Sequence, residues 1–245
     1  MSPRGARILL GVLVWFGTAA GTAVVAHAYD VDPDLQGATI RGQVLYRGAL
    51  PVATSIPVAR DVTYCGTSMP DDGLRVDPKS KGIANVVVSL AGVTTGKPFP
   101  VTQVARLRNE TCRFLPRTQA LPVGGKIEIT NADPVLHNTH IWKGGVTFLN
   151  VALPAGGRTI RKRLRVEGRL DIGCDAHRFM RASIHVFGHP YFAVTGKAGL
   201  YALPRVPSGT YRLQVWHEVL GTVVRPVEVG ATGELTVTIE LGGTD

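Results

Sequence analysis

The chain has 245 residues, which suits one large domain or two small β domains, and its 44% hydrophobic content is ordinary for a globular protein. Glycine (29) and proline (16) are abundant, and valine and threonine recur in short alternating runs between turn-forming residues, a pattern typical of all-β proteins. The formal net charge is +9. An export signal and the lack of stacking aromatics among the arginines nevertheless exclude nucleic acid as the partner.

Residues 1–28 have the three parts of a secretory signal peptide: two arginines, an apolar run, and a small-x-small sequence that ends at Ala28. We expect cleavage before Tyr29. The alternative is an uncleaved membrane anchor, since 19 residues from Ile8 to Ala26 carry no charge. In both cases the folded part lies outside the cytoplasm, in the periplasm or secreted. Residues 29–36 are acidic and contain Pro33, so they are predicted to form a tether.

Alternating and apolar runs predict the strands that follow. A strand is expected at residues 40–46, and the valine-rich run at 84–90 is typical of a strand buried on both faces. Further strands are predicted at 126–130, 169–174 and 181–187. In the 169–174 strand Leu170, Ile172 and Cys174 share one face, so the thiol is expected to point inward.

The loop between the last two of these strands carries the chemistry. Cys174, His177 and Met180 are three residues apart and offer a thiolate, an imidazole and a thioether. Sulfur ligands with imidazole suit copper, and two histidines, one cysteine and a distant axial methionine make the blue-copper electron-transfer site. One short loop cannot enclose a metal, so a second histidine is needed. His137 is the candidate, because it follows the 126–130 strand at a turn.

The chain has three cysteines, and an oxidising compartment favours pairing. If Cys174 binds metal, Cys65 and Cys112 remain as a natural disulfide pair. Two alternatives stay open: both are unpaired, or one of them pairs with Cys174 and destroys the metal site.

Cys-x-x-His-x-x-Met-Arg before a strand, with an Asn-x-Asp…His-Asn stretch upstream, resembles the cupredoxins, and the short loop is most similar to that of the amicyanins. The resemblance implies a Greek-key β-sandwich over residues 37–187. It also implies one type 1 copper held by His137, Cys174, His177 and Met180. Asn138 would link the two ligand loops by hydrogen bonds. Arg178 stands where the short-loop family usually has proline.

Residues 188–245 have a different sequence pattern, which predicts a regular series of hairpins with Pro and Gly at the turns. They resemble the carboxypeptidase regulatory-like, transthyretin-like (Ig-like) β-sandwiches. At 58 residues the segment is short for such a domain, so a strand borrowed from the copper domain could complete it. Its aromatic residues are typical of core packing, and carbohydrate binding is the alternative.

The sequence thus predicts an exported copper protein that carries single electrons and is not an enzyme. The electron is expected to pass through the edge of His177, the ligand expected to reach the surface. Its expected partner is a redox protein, such as a dehydrogenase or a c-type cytochrome. Six basic residues between 158 and 169 either protect an edge strand or attract an acidic partner or anionic lipid. The alternatives are a periplasmic copper carrier and a metal-free envelope module that binds protein or carbohydrate.

Overall fold

The computed structural model describes residues 29–98 and 102–243, so the predicted signal peptide lies outside the described part. Within these ranges the chain forms 21 strands and one short helix, which confirms the all-β prediction. No helix in these ranges is long and apolar enough to cross a membrane.

The strands that precede residue 104, together with the helix, are β1 Asp30–Val31, β2 Ala38–Tyr46, β3 Ser55–Pro57, α1 Val62–Cys65, β4 Ser68–Pro70, β5 Val87–Ala91 and β6 Thr95–Gly96. The next nine strands are β7 Val104–Glu110, β8 Arg113–Leu115, β9 Thr118–Pro122, β10 Lys126–Asn131, β11 His137–Lys143, β12 Val146–Leu153, β13 Ile160–Arg163, β14 Gly168–Gly173 and β15 Arg181–Phe187. The last six are β16 Phe192–Val194, β17 Leu200–Val206, β18 Gly209–His217, β19 Gly221–Val229, β20 Glu234–Thr236 and β21 Ile239–Leu241.

Strands β7–β15 form the central sandwich, residues 104–187. One sheet has the order β13-β10-β7-β8 and the other the order β12-β11-β14-β15-β9. Apolar side chains that alternate along both sheets meet between them and form one buried core, which includes Leu107, Ile129, Leu170 and Ile184. Removing such side chains from water is the main favourable contribution to folding, at about 2 kcal/mol for each large aliphatic residue.

Strands from both ends of the described chain form the flanking sandwich. Its sheets have the orders β16-β5-β18-β19 and β17-β2-β20, and β21 also pairs with β2. The shared core contains Ile40 and Leu90 from the first part of the chain and Leu213 and Val215 from the last part. Residues 104–187 are therefore inserted between two parts of the flanking sandwich.

This arrangement differs from the expected division at Gly188. The segment 37–98, which we assigned to the copper domain, supplies β2 and β5 to the same core as the strands after Gly188. The residues from 188 onward were too few to enclose a core, and two strands complete it where one was expected. The residues that indicate a copper site all lie within 131–187, so they gave no information about which strands pair with β2.

The prediction that residues 29–36 form a tether is also partly wrong. β1 pairs in parallel with β6, and the hydroxyl of Tyr29 donates a hydrogen bond to the backbone oxygen of Lys97. These contacts attach the first described residues to the fold. The basic stretch includes β13, which is an edge strand, and Arg161 there pairs with Glu128 at 2.9 Å.

Residues 55–70, which we call the capping segment, lie against the central sandwich. They comprise β3, α1 and β4, and the disulfide between Cys65 and Cys112 fastens them to the turn between β7 and β8. The predicted pairing of these two cysteines is confirmed, and Cys174 is free and buried. Val58 and Met69 pack with the disulfide in a small separate apolar cluster.

Candidate metal centre

The turn between β10 and β11 places His137. Asn131 ends β10, accepts the backbone N–H of Asp133 on Oδ1, and donates from Nδ2 to the backbone oxygens of Val135 and Leu153. These hydrogen bonds fix the turn, so that β11 begins at His137 with its side chain in the interior. The residue is 0% exposed.

The 174–180 loop places the other candidate ligands. Leu170 and Ile172 are buried on the inward face of β14, and the same alternation points Cys174 inward at 4% exposure. The backbone N–H of Met180 donates to the backbone oxygen of His177 at 2.9 Å, which closes the loop before β15 begins. Met180 is 2% exposed and belongs to the central core.

Three of the four predicted ligands converge. The Nδ1 atoms of His137 and His177 are 3.1 Å apart, and Cys174 Sγ is 3.8 Å from Nδ1 of His177. The three ligand atoms lie within 4.8 Å of one another, and all three residues are buried. A second group of the same size includes Cys112, whose sulfur is held in the disulfide, so it is not a competing site.

In each of these two histidines, Nε2, the ring nitrogen that is not at the cluster, lies within hydrogen-bonding distance of a carboxylate. His137 Nε2 lies 2.8 Å from Asp133 Oδ2, and His177 Nε2 lies 2.9 Å from Asp61 Oδ2. A carboxylate accepts hydrogen bonds, so each neutral ring carries its proton on Nε2. Both Nδ1 atoms then present a lone pair.

Two facing lone pairs 3.1 Å apart cannot hydrogen-bond to each other, and a cation between them resolves the conflict. Metal-bound histidines characteristically donate their second N–H to a carboxylate, as both do here. The site offers two imidazole nitrogens and one thiolate. Copper is among the transition metals that prefer such ligands. The residues present therefore fit a copper ion.

The electrostatics of the site depend on dense hydrogen bonding. Burial by itself would raise the pKa of Asp133, but hydrogen bonds to its carboxylate outweigh burial, and this pKa lies below its usual value. The donors are the backbone N–H of Cys112, the Tyr64 hydroxyl, His137 and the backbone N–H of Thr111. For His177 burial is the largest cause of a lowered pKa, and neighbouring His137 adds to it, while Asp61 acts in the opposite direction. The first shift favours an ionised Asp133, and the second favours a neutral His177 ring.

Asn138 connects the two ligand-bearing loops. Its Oδ1 accepts the backbone N–H of Asp175 at 2.7 Å and lies 3.2 Å from Cys174 Sγ. Its own backbone N–H points at the same sulfur at 3.4 Å. Its Nδ2 donates to Asp175 and Asn150. These are the hydrogen bonds that the resemblance implied for this residue.

The surface near the site differs from our expectation for His177. We expected the edge of this ring to reach the surface, but its side chain is 0% exposed because Asp61 lies over it. On another side, Cys174 borders an open cleft with a volume of about 640 Å³. The cleft is also lined by His140, Trp142, Arg178 and Arg181.

Three other histidines in the described part of the chain lie outside this cluster. His140 contacts Asp175 and Thr147 on the outer face of the sheet. His185 is buried against Trp216 of the flanking sandwich, with ring centroids 4.5 Å apart. His217 accepts two backbone N–H groups. These three side chains therefore have contacts of their own outside the candidate metal centre.

Two residues of the site escaped the sequence analysis. Asp133 had a usable signal, because it precedes His137 by four residues at a turn, although the pattern does not reveal that its carboxylate reaches the ring. Asp61 had none: it lies 116 residues before His177, in a different part of the chain. Only the three-dimensional arrangement brings it to the site.

Comparison with solved structures gives partial matches. A copper-containing nitrite reductase from Thermus scotoductus SA-01 is 21% identical over 40% of this chain, with a TM-score of 0.31. A purple cupredoxin from Nitrosopumilus maritimus is 22% identical over 34% of this chain and 99% of its own, with a TM-score of 0.31. Amicyanin from Paracoccus versutus is 21% identical over 36% of this chain and 85% of its own, with a TM-score of 0.32.

The matched part spans 24% of the nitrite reductase, about a quarter of its length. No family model and no curated protein matches the chain. The resemblance of the flanking sandwich to transthyretin-like domains stays a prediction. Because identities and scores are low, the function proposed below depends on the geometry of the site itself.

Proposed function

We propose that the chain binds one copper ion at a type 1 site and carries single electrons outside the cytoplasm. His137 and His177 would supply imidazole nitrogens, Cys174 the thiolate and Met180 the weak axial thioether. The observation that carries this proposal is the pair of Nδ1 atoms 3.1 Å apart, each on a ring whose Nε2 is held by a carboxylate. When bound, copper supplies a one-electron couple between Cu(I) and Cu(II).

The chain's part in such a reaction is to hold the ligands still. His137 begins β11, Cys174 directly follows the last residue of β14, and Asn138 joins the two loops. Ligands that are buried and fixed from several directions move little when the charge at their centre changes. A small rearrangement favours fast electron transfer, and the apolar core of the central sandwich keeps water away.

The test is a visible absorption spectrum of the purified protein after Cu(II) is added and the excess removed. We expect an intense thiolate-to-copper charge-transfer band that is lost in Cys174→Ala. A Cys174→Ala protein that keeps the band would overturn the ligand assignment. If the parent protein retains no copper and stays colourless, the alternative is a metal-free envelope module that binds protein or carbohydrate.

A periplasmic copper carrier is the second candidate. A carrier must release its ion readily, whereas an electron carrier must keep it through many redox cycles. Complete burial of His137 and the covered edge of His177 favour retention. Exchange with a competing chelator on a scale of seconds would favour the carrier.

For the redox partner, an acidic protein such as a dehydrogenase or a c-type cytochrome fits the cleft beside Cys174. Arg178 and Arg181 line this cleft, are exposed, and have no ion-pair partner among the described residues, so they outnumber Asp175, the one carboxylate in the same lining. One-signed charge at a docking face accelerates encounter with a partner of opposite sign. Trp142 packs against Gly173, next to Cys174, and offers a contact surface there.

Export is supported by two features. The Cys65–Cys112 disulfide is typical of an oxidising compartment, and residues 1–28 have the pattern of a signal peptide. N-terminal sequencing of the mature protein tests this, and a start at Tyr29 is expected. A start at Met1 would favour the membrane anchor.

A further inference from the structure

The capping segment brings a carboxylate to the metal centre from outside the central sandwich. Asp61 Oδ2 lies 2.9 Å from Nε2 of His177. The side chain of His177 is 0% exposed, whereas that of Asp61 is 35% exposed. The carboxylate therefore lies between the ligand and water and forms the outer wall of the site on this side.

The backbone around Asp61 holds it in this position. The residue has φ 54° and ψ 34°, in the left-handed region that aspartate and asparagine tolerate better than most residues. Its backbone oxygen accepts the N–H groups of Tyr64 and Cys65 at 3.0 and 2.8 Å. The side chain makes no capping hydrogen bond to α1, and its carboxylate contacts His177 instead.

Two links then fasten the turn to the central sandwich. Cys65 is joined to Cys112, and the Tyr64 hydroxyl donates to Asp133 at 2.8 Å. Asp133 is the carboxylate that holds His137. The two residues that hold the ligand histidines are thus connected through Tyr64 and the Asp61 turn.

We propose that Asp61 is a positioning residue for the copper site and that, with the capping segment, it controls release of the ion. By accepting the Nε2–H of His177, it keeps the Nδ1 lone pair of that ring directed at the ion. By covering the ring, it makes loss of copper depend on opening of the capping segment. This inference rests on the proposed function, because it assumes that the ion is copper held by His177.

A purely structural role is the competing explanation. In that case Asp61 would fasten the capping segment to an imidazole, and the ring would be equally well placed without it. The disulfide and the hydrogen bond from Tyr64 to Asp133 already fasten the segment independently of the Asp61 carboxylate. The carboxylate is therefore not needed for attachment, and its direct contact with the ring favours the positioning role.

The experiment compares Asp61→Gly and Asp61→Asn with Asp71→Asn in the full-length protein. Glycine adopts φ 54° without strain and removes the acceptor, whereas asparagine keeps an acceptor oxygen and removes the charge. Asp71 borders the same cleft as His177, so Asp71→Asn removes an equal charge nearby. Two quantities are measured: the rate of copper release to excess chelator, and hydrogen exchange of the His177 ring N–H by NMR in the Cu(I) protein.

We expect Asp61→Gly to release copper roughly 10- to 100-fold faster, because removing a hydrogen-bond partner of a metal ligand typically lowers metal affinity by about that factor. Its His177 ring N–H signal should disappear through fast exchange with water. Asp61→Asn should lie between Asp61→Gly and the parent, and Asp71→Asn should match the parent. Release at the parental rate with the ring signal retained in Asp61→Gly would overturn the proposal.

Failure of the proposed function has a different outcome. If the parent protein binds no copper, the copper assignment fails, yet the ring N–H of His177 can still be followed in the metal-free protein. Loss of its protection in Asp61→Gly would then support positioning of the ring alone. Unchanged protection would refute the positioning role as well.

Discussion

Met180 differs from the other candidate ligands in what its replacement should do. The ligand atoms of the two histidines and Cys174 lie within 4.8 Å of one another, whereas Met180 lies in the apolar core at the end of the same loop. A thioether at the axial position is a weak donor that adjusts the reduction potential more than it binds the ion. The potential and the affinity should therefore respond separately to a change at this residue.

We expect Met180→Leu to keep copper and its colour and to have a higher reduction potential. Leucine conserves volume in the core, so the fold should tolerate it. A hydrocarbon in place of sulfur leaves the more highly charged Cu(II) less well stabilised than Cu(I). Redox titration of the parent and the variant measures the change, and a variant that fails to bind copper would show that Met180 is a principal ligand instead.

At the scale of elements, the capping segment depends on its disulfide. Cys65 and Cys112 are 47 residues apart, and closing a loop of this length should stabilise the fold by about 4 kcal/mol on the chain-entropy account. The bridge also keeps the Asp61 turn against the site. Stability and copper retention should both depend on it.

We therefore expect Cys65→Ala/Cys112→Ala to lower the free energy of unfolding by up to about 4 kcal/mol and to speed copper release. Urea denaturation of the metal-free protein measures the first effect, and transfer to a chelator measures the second. The parent treated with a thiol reductant is the control and should behave like the double variant. An unchanged midpoint would mean that the segment is held by its packing alone.

Local sequence patterns predicted a strand well where turn-forming residues or a ligand loop mark both of its ends. The 181–187 strand was predicted with its observed bounds, and the 126–130 strand to within one residue, because a turn or a ligand loop marks where each begins. The candidate copper ligands could be picked out for the same reason, since three of them lie within seven residues. What the sequence could not provide was long-range pairing.

Two elements illustrate that limit. β2 alternates clearly, so its existence was predictable, but its partners β17, β20 and β21 lie more than 150 residues away. Asp61 likewise has no local feature that points to His177. Contacts of this kind are decided by which apolar faces fit together in the whole fold, and a pattern in a short window does not contain that information.

At the scale of the whole molecule, the two sandwiches are joined by polar as well as apolar contacts. Arg117 of the central sandwich makes paired hydrogen bonds to Glu218 and another to Asp72. Beside this junction His217 is 1% exposed, and its Nδ1 accepts the backbone N–H groups of Val219 and Leu220. Protonating Nδ1 would destroy both hydrogen bonds.

Burial lowers the pKa of His217 to about 4, with Glu218 opposing the shift and Arg117 adding to it. Between pH 6.5 and pH 4 the His217 imidazole therefore binds more protons in the unfolded chain than in the folded one. Its contribution to the free energy of unfolding falls as the pH falls. For this residue the loss is about 2 kcal/mol between pH 7 and pH 5. We expect His217→Asn to lose less stability over that interval by about this amount, as measured by urea denaturation of the metal-free protein. An identical pH dependence in the variant would contradict this assignment.

The location of the docking surface can be decided without knowing the natural partner. Two basic regions compete: the cleft beside Cys174, which includes Arg178, and the 158–169 stretch, which includes the exposed Arg165. Small redox reagents of opposite charge, hexacyanoferrate(III) and tris(phenanthroline)cobalt(III), both oxidise Cu(I) proteins. The ratio of their two rates reports local charge, since a change in the reduction potential of the protein affects both reactions.

We expect Arg178→Glu to lower the ratio of the hexacyanoferrate rate to the cobalt rate several-fold at low ionic strength, because it reverses the charge at the cleft where we propose that electrons enter. Arg165→Glu makes the same charge change outside the cleft and should leave the ratio near that of the parent. The difference between the variants should shrink above about 0.1 M salt, where the screening length falls to about 10 Å. A larger fall in Arg165→Glu would place electron entry on the 158–169 stretch, and the basic edge strand would then be the dock.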